Sequence, residues 1–395
     1  MAGTIVVDTI QSDSSYASKI NVTSNVAFTS PVSFNTATTF NTSANFVGGV
    51  QVGGQDVAFG GMRNRIINGG MIFDQRYNGG GNTLVSGSET FVVDRFVGYK
   101  DAGVITSGQS SVAPTGFSKS ISWSVGTGAT ASSNQYFFLK QHIEGYNTAD
   151  LGFGTASAST VTFSFWVRAS ITGTYSGSLN NGAADRSYGF TYTINQANTW
   201  EYKSVTIPGD TSGTWVGATN GTGLRVYWDL GCHSGVRNSS AGVWNSGALV
   251  GVAGTTSLSA TTGATFYVTG VQLEKGSSAT GFEYRQYGTE FSLCQRYYIK
   301  TFDGSTYGSG SPLVNTITGS STRISIPTTM VPMRANPTVT VYNGSGTSGN
   351  LTEFSSASNK TVSSVNVYGT IGGGYCDIAS LSNPVIWAAT YSAEL

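Results

Sequence analysis

Two alternating stretches carry the side chains best suited to holding a ligand. In residues 161–168, Val161, Phe163, Phe165 and Val167 share one face of an extended chain, leaving Trp166 and Arg168 on the other. In residues 224–230, Leu224, Val226, Trp228 and Leu230 share a face, and Arg225, Tyr227 and Asp229 share the opposite one. An aromatic ring stacks on the apolar face of a sugar while a neighbouring polar group fixes its hydroxyls. If both polar faces belong to one concave surface, Trp166, Arg168, Tyr227 and Asp229 form a shallow glycan site. The competing reading packs Trp166 beneath a loop or at a subunit contact. Trp200, Trp215 and Trp244 are further loop candidates, but nothing in the sequence singles them out.

Catalytic and metal chemistry have little to work with. The two histidines, His142 and His233, stand in no HExxH, HxH or CxxC pattern. His233 follows Cys232, and adjacent residues on a strand point to opposite faces, so the two are poorly placed to share a metal. Cys232, Cys294 and Cys376 are odd in number and far apart, which reads as reduced structural thiols. No nucleophile elbow or phosphate-binding loop is recognisable, because the glycines fall between strands rather than before helices. Glycoside cleavage needs two carboxylates roughly 5–10 Å apart, and no pair stands out among the 20 acidic residues. Asp74, Asp94 and Asp150 read equally well as loop-holding acceptors, and the long-coil period of a polysaccharide-degrading β-helix is missing. The expectation is a non-enzyme with no cofactor and no metal site, a structural calcium near Asp210 being an open alternative.

The composition sets the frame that must position these residues. The chain has 395 residues, with 20 Lys+Arg balancing 20 Asp+Glu. Charged residues are only 10% of it, against roughly 25% in ordinary domains. Such a field is too weak for a nucleic-acid binder. With 39% apolar and 12% aromatic residues, the chain can build cores and is not expected to be disordered. No apolar run approaches the ~18 residues of a membrane-spanning helix. No signal peptide is recognisable, so the chain is expected to be made and folded in a cytosol. Fifty-three glycines, amid abundant Ser, Thr and Asn, point to an all-β protein with many turns.

The N-terminal stretch is a repeat of period six. Ile10, Tyr16, Val22, Phe28, Phe34, Phe40, Phe46 and Val52 are each six residues apart. A second stripe follows Ile20, Val26, Val32, Thr38, Ala44 and Val50. The i, i+2 pairs put two apolar side chains on one face of a short strand, and the polar residues between can turn the chain. One such stripe cannot bury itself alone. A solitary β-solenoid, an irregular arm and a trimeric β-stalk all answer to this. A short, Phe-rich stripe without an evident cap favours three chains sharing an apolar axis. The pairs Gly48-Gly49, Gly53-Gly54 and Gly60-Gly61 read as a junction.

Downstream, residues 91–96, 161–168, 200–207, 224–230 and 266–273 read as strands separated by turn-rich loops, the mark of a sandwich. The ordered strings NRIINGGMIFDQR, FVVDRF, FSFWVRAS, WEYKSVTIPGDTSGTW and VQLEKGSSATGFEYRQYGTEFSLCQRYY cover about residues 63–300. Together they resemble a module of bacteriophage tail-fibre and virion structural proteins. It looks like a jelly-roll sandwich related to carbohydrate-binding modules. The opening MAGTIVVDTIQS with its hexads is similar to the start of phage fibre proteins, particularly those of cyanophages. The resemblance implies a homotrimeric virion fibre, attached to other tail or capsid proteins by its N-terminus and exposed on the particle. Its sandwiches would meet a host-surface polysaccharide or lipopolysaccharide, with no nucleic acid bound and no membrane insertion. A decorating spike with a purely structural role is the alternative. A secreted bacterial adhesin is a third reading, and the missing signal peptide argues against it.

The expected organisation is therefore an N-terminal attachment segment and hexad stalk over residues 1–62 and a jelly roll over 63–287. A short helical connector follows over 288–300, with Phe291, Cys294 and Tyr298 at near-helical spacing. A smaller C-terminal β-sandwich then occupies 301–395, with strands at 322–326, 338–342, 362–368 and 384–391. It would serve as a receptor-binding tip or as a trimerisation cap.

Overall fold

The computed structural model describes residues 51–52, 55–56, 62–302, 313–315, 321–327, 329, 331–353, 356–381 and 384–395. Tyr16, Val22, Phe28, Phe34, Phe40 and Phe46 of the hexad stripe, and so the expected stalk, lie outside the described residues. Val52 belongs to a minimal hairpin, Gln51–Val52 (β1) paired with Gln55–Asp56 (β2).

The jelly-roll region begins with β3 (Gly81–Thr83), β4 (Thr90–Val93), β5 (Phe96–Lys100), β6 (Val104–Ser110), β7 (Ser120–Thr127) and β8 (Phe137–Glu144). It continues with β9 (Val161–Ala169), β10 (Gly173–Asn181), β11 (Arg186–Ile194) and β12 (Glu201–Ile207). It ends with β13 (Thr222–Asp229), β14 (Trp244–Ser246) and β15 (Thr265–Lys275). These form a six-stranded sheet in the order β12-β9-β15-β7-β6-β3 and a seven-stranded sheet in the order β14-β11-β10-β13-β8-β5-β4. Period-two alternation is what makes the two sheets a sandwich. Val161, Phe163, Phe165 and Val167 of β9 and Leu224, Val226 and Trp228 of β13 all point into one shared core. There the Trp228 ring lies 5.4 Å from Phe163 and 5.7 Å from Phe165, joining the sheets. Burying each such side chain contributes roughly 1.5–3 kcal/mol.

Residues 91–96 are not one strand. The chain turns at Asp94-Arg95, with Arg95 at φ 72°, and β4 folds back on β5. Tertiary contacts hold this left-handed residue in place. Asp94 accepts from Gln75 N at 3.0 Å and Nε2 at 2.6 Å, and the Arg95 guanidinium lies 3.5 Å over the Tyr297 ring.

The helix α1 spans Tyr287–Gln295, shorter than the expected 288–300. Cys294 and Phe291 do use their helical spacing, packing with Ile67, Phe73 and Tyr297. Tyr298, expected on the same helical face, instead opens β16 (Tyr298–Lys300), which pairs into the C-terminal sheet.

That sheet continues with β17 (Leu313–Asn315), β18 (Ser321–Ile326), β19 (Thr338–Tyr342), β20 (Asn350–Glu353), β21 (Asn359–Tyr368), β22 (Gly373–Leu381) and β23 (Val385–Ser392). Its core gathers Trp387, Leu351, Val341, Cys376 and Ile378. β23 is the organiser, pairing with β17 and β20 along its first half and with β16 and β19 along its second.

The C-terminal strands join in one eight-stranded sheet, not the two facing sheets of the expected sandwich. Residues 50–395 form one compact unit, and a polar clasp ties the jelly roll to the C-terminal sheet within it. Glu394 binds Arg76 at 3.1 Å and also pairs with Arg95. Arg334 donates to the carbonyls of Ala393 (2.7 Å), Glu394 (2.7 Å) and, across the boundary, Asn220 (2.8 Å). Arg296 pairs with the buried Glu144 at 2.6 Å. No helix among the described residues is long and apolar enough to cross a membrane.

Candidate ligand-binding site

The four side chains expected to share one surface do not. Trp166 and Arg168 lie on the outer face of the six-stranded sheet, whereas Tyr227 and Asp229 belong to the seven-stranded one. The core of the sandwich separates them. Tyr227 and Asp229 are also covered, because the chain after β13 turns back over its own sheet. Cys232, Val236 and Val250 pack there on Phe138 and Tyr227. Asp229 is fully buried, accepting from Gly231 N and Cys232 N at 2.9 Å and from Arg237 Nη2 at 3.0 Å. Burial pushes the Tyr227 hydroxyl pKa well up. Both residues are thus buried within the fold.

Trp166 does line a groove. Directly opposite it across the β9–β12 pair stands Tyr202, whose ring lies 5.6 Å away and is 43% exposed. With Ser164, Gly270, Thr280 and Phe282 they enclose about 340 Å³. Gly270 sits in a bulge of β15 at φ 59°. A Cβ there would lie 2.6 Å from Phe117 Cζ and 3.0 Å from Trp166 Cδ1, so only glycine admits both rings. Arg168 takes a supporting role: its Nε donates to Asn198 O at 2.8 Å, and its guanidinium lies 5.2 Å from the Tyr267 ring.

Phe282 also faces a second cavity of about 440 Å³. Phe117, Phe282 and Tyr284 pack on one another at 4.9–5.6 Å, and Tyr287 lies 4.7 Å from Phe73. Tyr284 and Tyr287 are 65% and 70% exposed. Arg285 pairs with Glu283 and Glu290, each at 3.1 Å. It also donates to the Ile66 and Asn64 carbonyls, while Glu283 accepts from Asn64 N at 2.9 Å. This network fastens residues 64–68 to the segment leading into α1. Tyr202, Phe117, Phe282, Tyr284 and Tyr287 were not singled out from the sequence. The available signal was the aromatic density of residues 282–291, with Phe282 and Tyr284 in alternation.

Other candidates have partners within the fold. Asp74 accepts from Gly79 N (2.8 Å) and Tyr77 N (3.1 Å), and Asp150 pairs with Arg65 at 2.8 Å. Asp210, the calcium alternative, is instead engaged by Arg186 through two bonds of 2.6 and 2.9 Å. His233 Nδ1 accepts from Gly235 N at 3.0 Å, and all three cysteines are free and buried. Trp215 and Trp244 pack together with Phe153. Among the described residues no group of three or more His, Cys, Asp or Glu is placed to hold a metal.

No protein-family model matches the sequence, and no curated protein matches it. Among solved structures, similar ones include carbohydrate-binding modules and a protein described as sugar-binding. A protein from Bacteroides thetaiotaomicron VPI-5482 described as sugar-binding is 10% identical, with TM-score 0.31, over 54% of this chain and 100% of its own. The module TmCBM61, solved with β-1,4-galactotriose, is 8% identical, with TM-score 0.26, over 54% of this chain and 100% of its own. The C-terminal family 22 module of Clostridium thermocellum Xyn10B is 13% identical, with TM-score 0.26, over 51% of this chain and 98% of its own.

Proposed function

We propose that this chain is a carbohydrate-binding protein that holds its ligand along the groove between Tyr202, Trp166 and Phe282, without cleaving it. The observation that carries the reading is the Trp166–Tyr202 pair, a half-buried ring and an exposed one flanking a groove on the sheet's outer face. Rings so placed stack on sugar faces, and the buried Ser164 and Thr280 form the floor beside them. Binding without cleavage is supported by the state of the neighbouring carboxylates. Glu274 accepts from Thr280 N and Oγ1 and from Gln272 Nε2, and Glu283 and Glu290 are held by Arg285.

The fibre context belongs to the same proposal. The hexad stripe supports three chains knit along a shared axis, with the N-terminus bound to other virion proteins and the sandwiches turned toward a host-surface polysaccharide or lipopolysaccharide. Three weak sites then act together through effective concentration. A glycan array on the full chain tests the binding reading, and an array on which nothing binds would leave the structural-spike reading in its place. Light scattering on the full chain and on one beginning at Arg63 tests the stalk. A trimer that falls to monomer on truncation is expected, and a full-length monomer would refute the fibre.

A further inference from the structure

We infer that the second cavity is a separate site for an organic ammonium group. Its wall brings together Phe73, Phe117, Phe282, Tyr284 and Tyr287, and a cation is attracted to aromatic faces within about 6 Å of a ring centroid. At about 440 Å³ the space suits a small ligand. The charge balance then chooses among ligands. Glu283 and Glu290 contribute two negative charges against one positive charge from Arg285. The guanidinium is already committed to both carboxylates and to the carbonyls of Ile66 and Asn64, so it has little left to offer an anion. Glu283 retains solvent access, its side chain being 24% exposed. In a chain with only 10% charged residues, a pair of carboxylates at an aromatic cavity is a marked local excess. A neutral sugar would use the rings and leave that excess unanswered; an ammonium group uses both.

The probe is choline, compared with its uncharged isostere 3,3-dimethylbutan-1-ol, titrated into the full chain by calorimetry or NMR. Choline is expected to bind at least tenfold more tightly than the isostere. Glu283→Gln should remove most of that difference, and Tyr287→Ala should weaken choline at least tenfold. Tyr287 is largely exposed, so its replacement leaves the fold intact even if Glu283→Gln, which touches Asn64 N, does not. Trp166→Ala should reduce oligosaccharide binding in the groove while leaving choline unchanged, so the two readings fail separately. Equal affinity for choline and the isostere would overturn the inference. So would choline binding indifferent to Tyr287→Ala, or a neutral oligosaccharide lost with Tyr287→Ala while choline does not bind.

Discussion

Trp166 and Tyr202 are directly opposed on neighbouring antiparallel strands, and their rings meet at 5.6 Å with an interplanar angle of 54°. The angle leaves the two faces splayed rather than stacked flat, so the pair lines a groove rather than closing it. Trp166→Ala should therefore weaken oligosaccharide binding by tenfold or more, which is about 1.4 kcal/mol or above. Tyr227→Phe, which changes a buried ring on the other sheet, should leave it unchanged. Calorimetric titration of both variants checks this, and a loss in Tyr227→Phe would refute the placement of the site.

Gly270 permits the close approach of Phe117 and Trp166. Gly270→Ala adds a Cβ 2.6 Å from Phe117 Cζ at a positive φ, and should lower stability by ~1–3 kcal/mol. It should also crowd Trp166, which the added Cβ would meet at 3.0 Å, and so weaken oligosaccharide binding in the groove. Denaturant melts together with binding isotherms read both effects.

Two groups give the fold opposed responses to acid. Burial, outweighing Arg76 and Gln75, raises Asp94 from 3.8 to about 6. The folded state thus keeps a proton that the unfolded chain releases, a contribution present below about pH 4 and lost as pH rises to 6. Burial, reinforced by Lys140, Arg225, Arg95 and Arg334, lowers His142 from 6.5 to about 2. Its contribution is present above pH 6.5 and lost as pH falls. His142→Gln should accordingly lose less stability than the parent between pH 7 and 4.5, by on the order of 2 kcal/mol, and Asp94→Asn should lose more. Urea midpoints at the two pH values decide it; parallel shifts in all three proteins would contradict the assignment.

Glu394 meets Arg95, whose side chain is only 2% exposed. Glu394→Ala leaves that guanidinium without its carboxylate partner, so a loss of about 3 kcal/mol or more is expected. Because the clasp joins two cores, the variant should also unfold in two separated steps where the parent shows closer coupling. Calorimetry resolves the number of transitions.

The inner faces of β9 and β13 were legible because a half-buried strand writes its burial into alternate residues. Val161, Phe163, Phe165 and Val167 point where alternation says they must. Alternation says nothing about what covers the other face. Tyr227 and Asp229 were placed on the polar face of their strand, yet Cys232, Val236 and Val250 pack down onto that face. The turn at Asp94-Arg95 hid inside an apolar run, since its stabilising partners Gln75 and Tyr297 are distant in sequence. Trp166 could be picked from its strand, but its partners Tyr202 and Phe282 come from separate segments that only the fold assembles. The helix was visible at Phe291 and Cys294 and overrun at Tyr298, where pairing with β23 replaces helical spacing.

β23 gives the C-terminal sheet a particular mechanical character. It is gripped on both edges along its length, by β17 and β20 and then by β16 and β19. Ladder hydrogen bonds run across the strand, so tension along β23 loads them in shear. They must rupture together rather than unzip one after another, and a tug on this strand meets the combined strength of four neighbours.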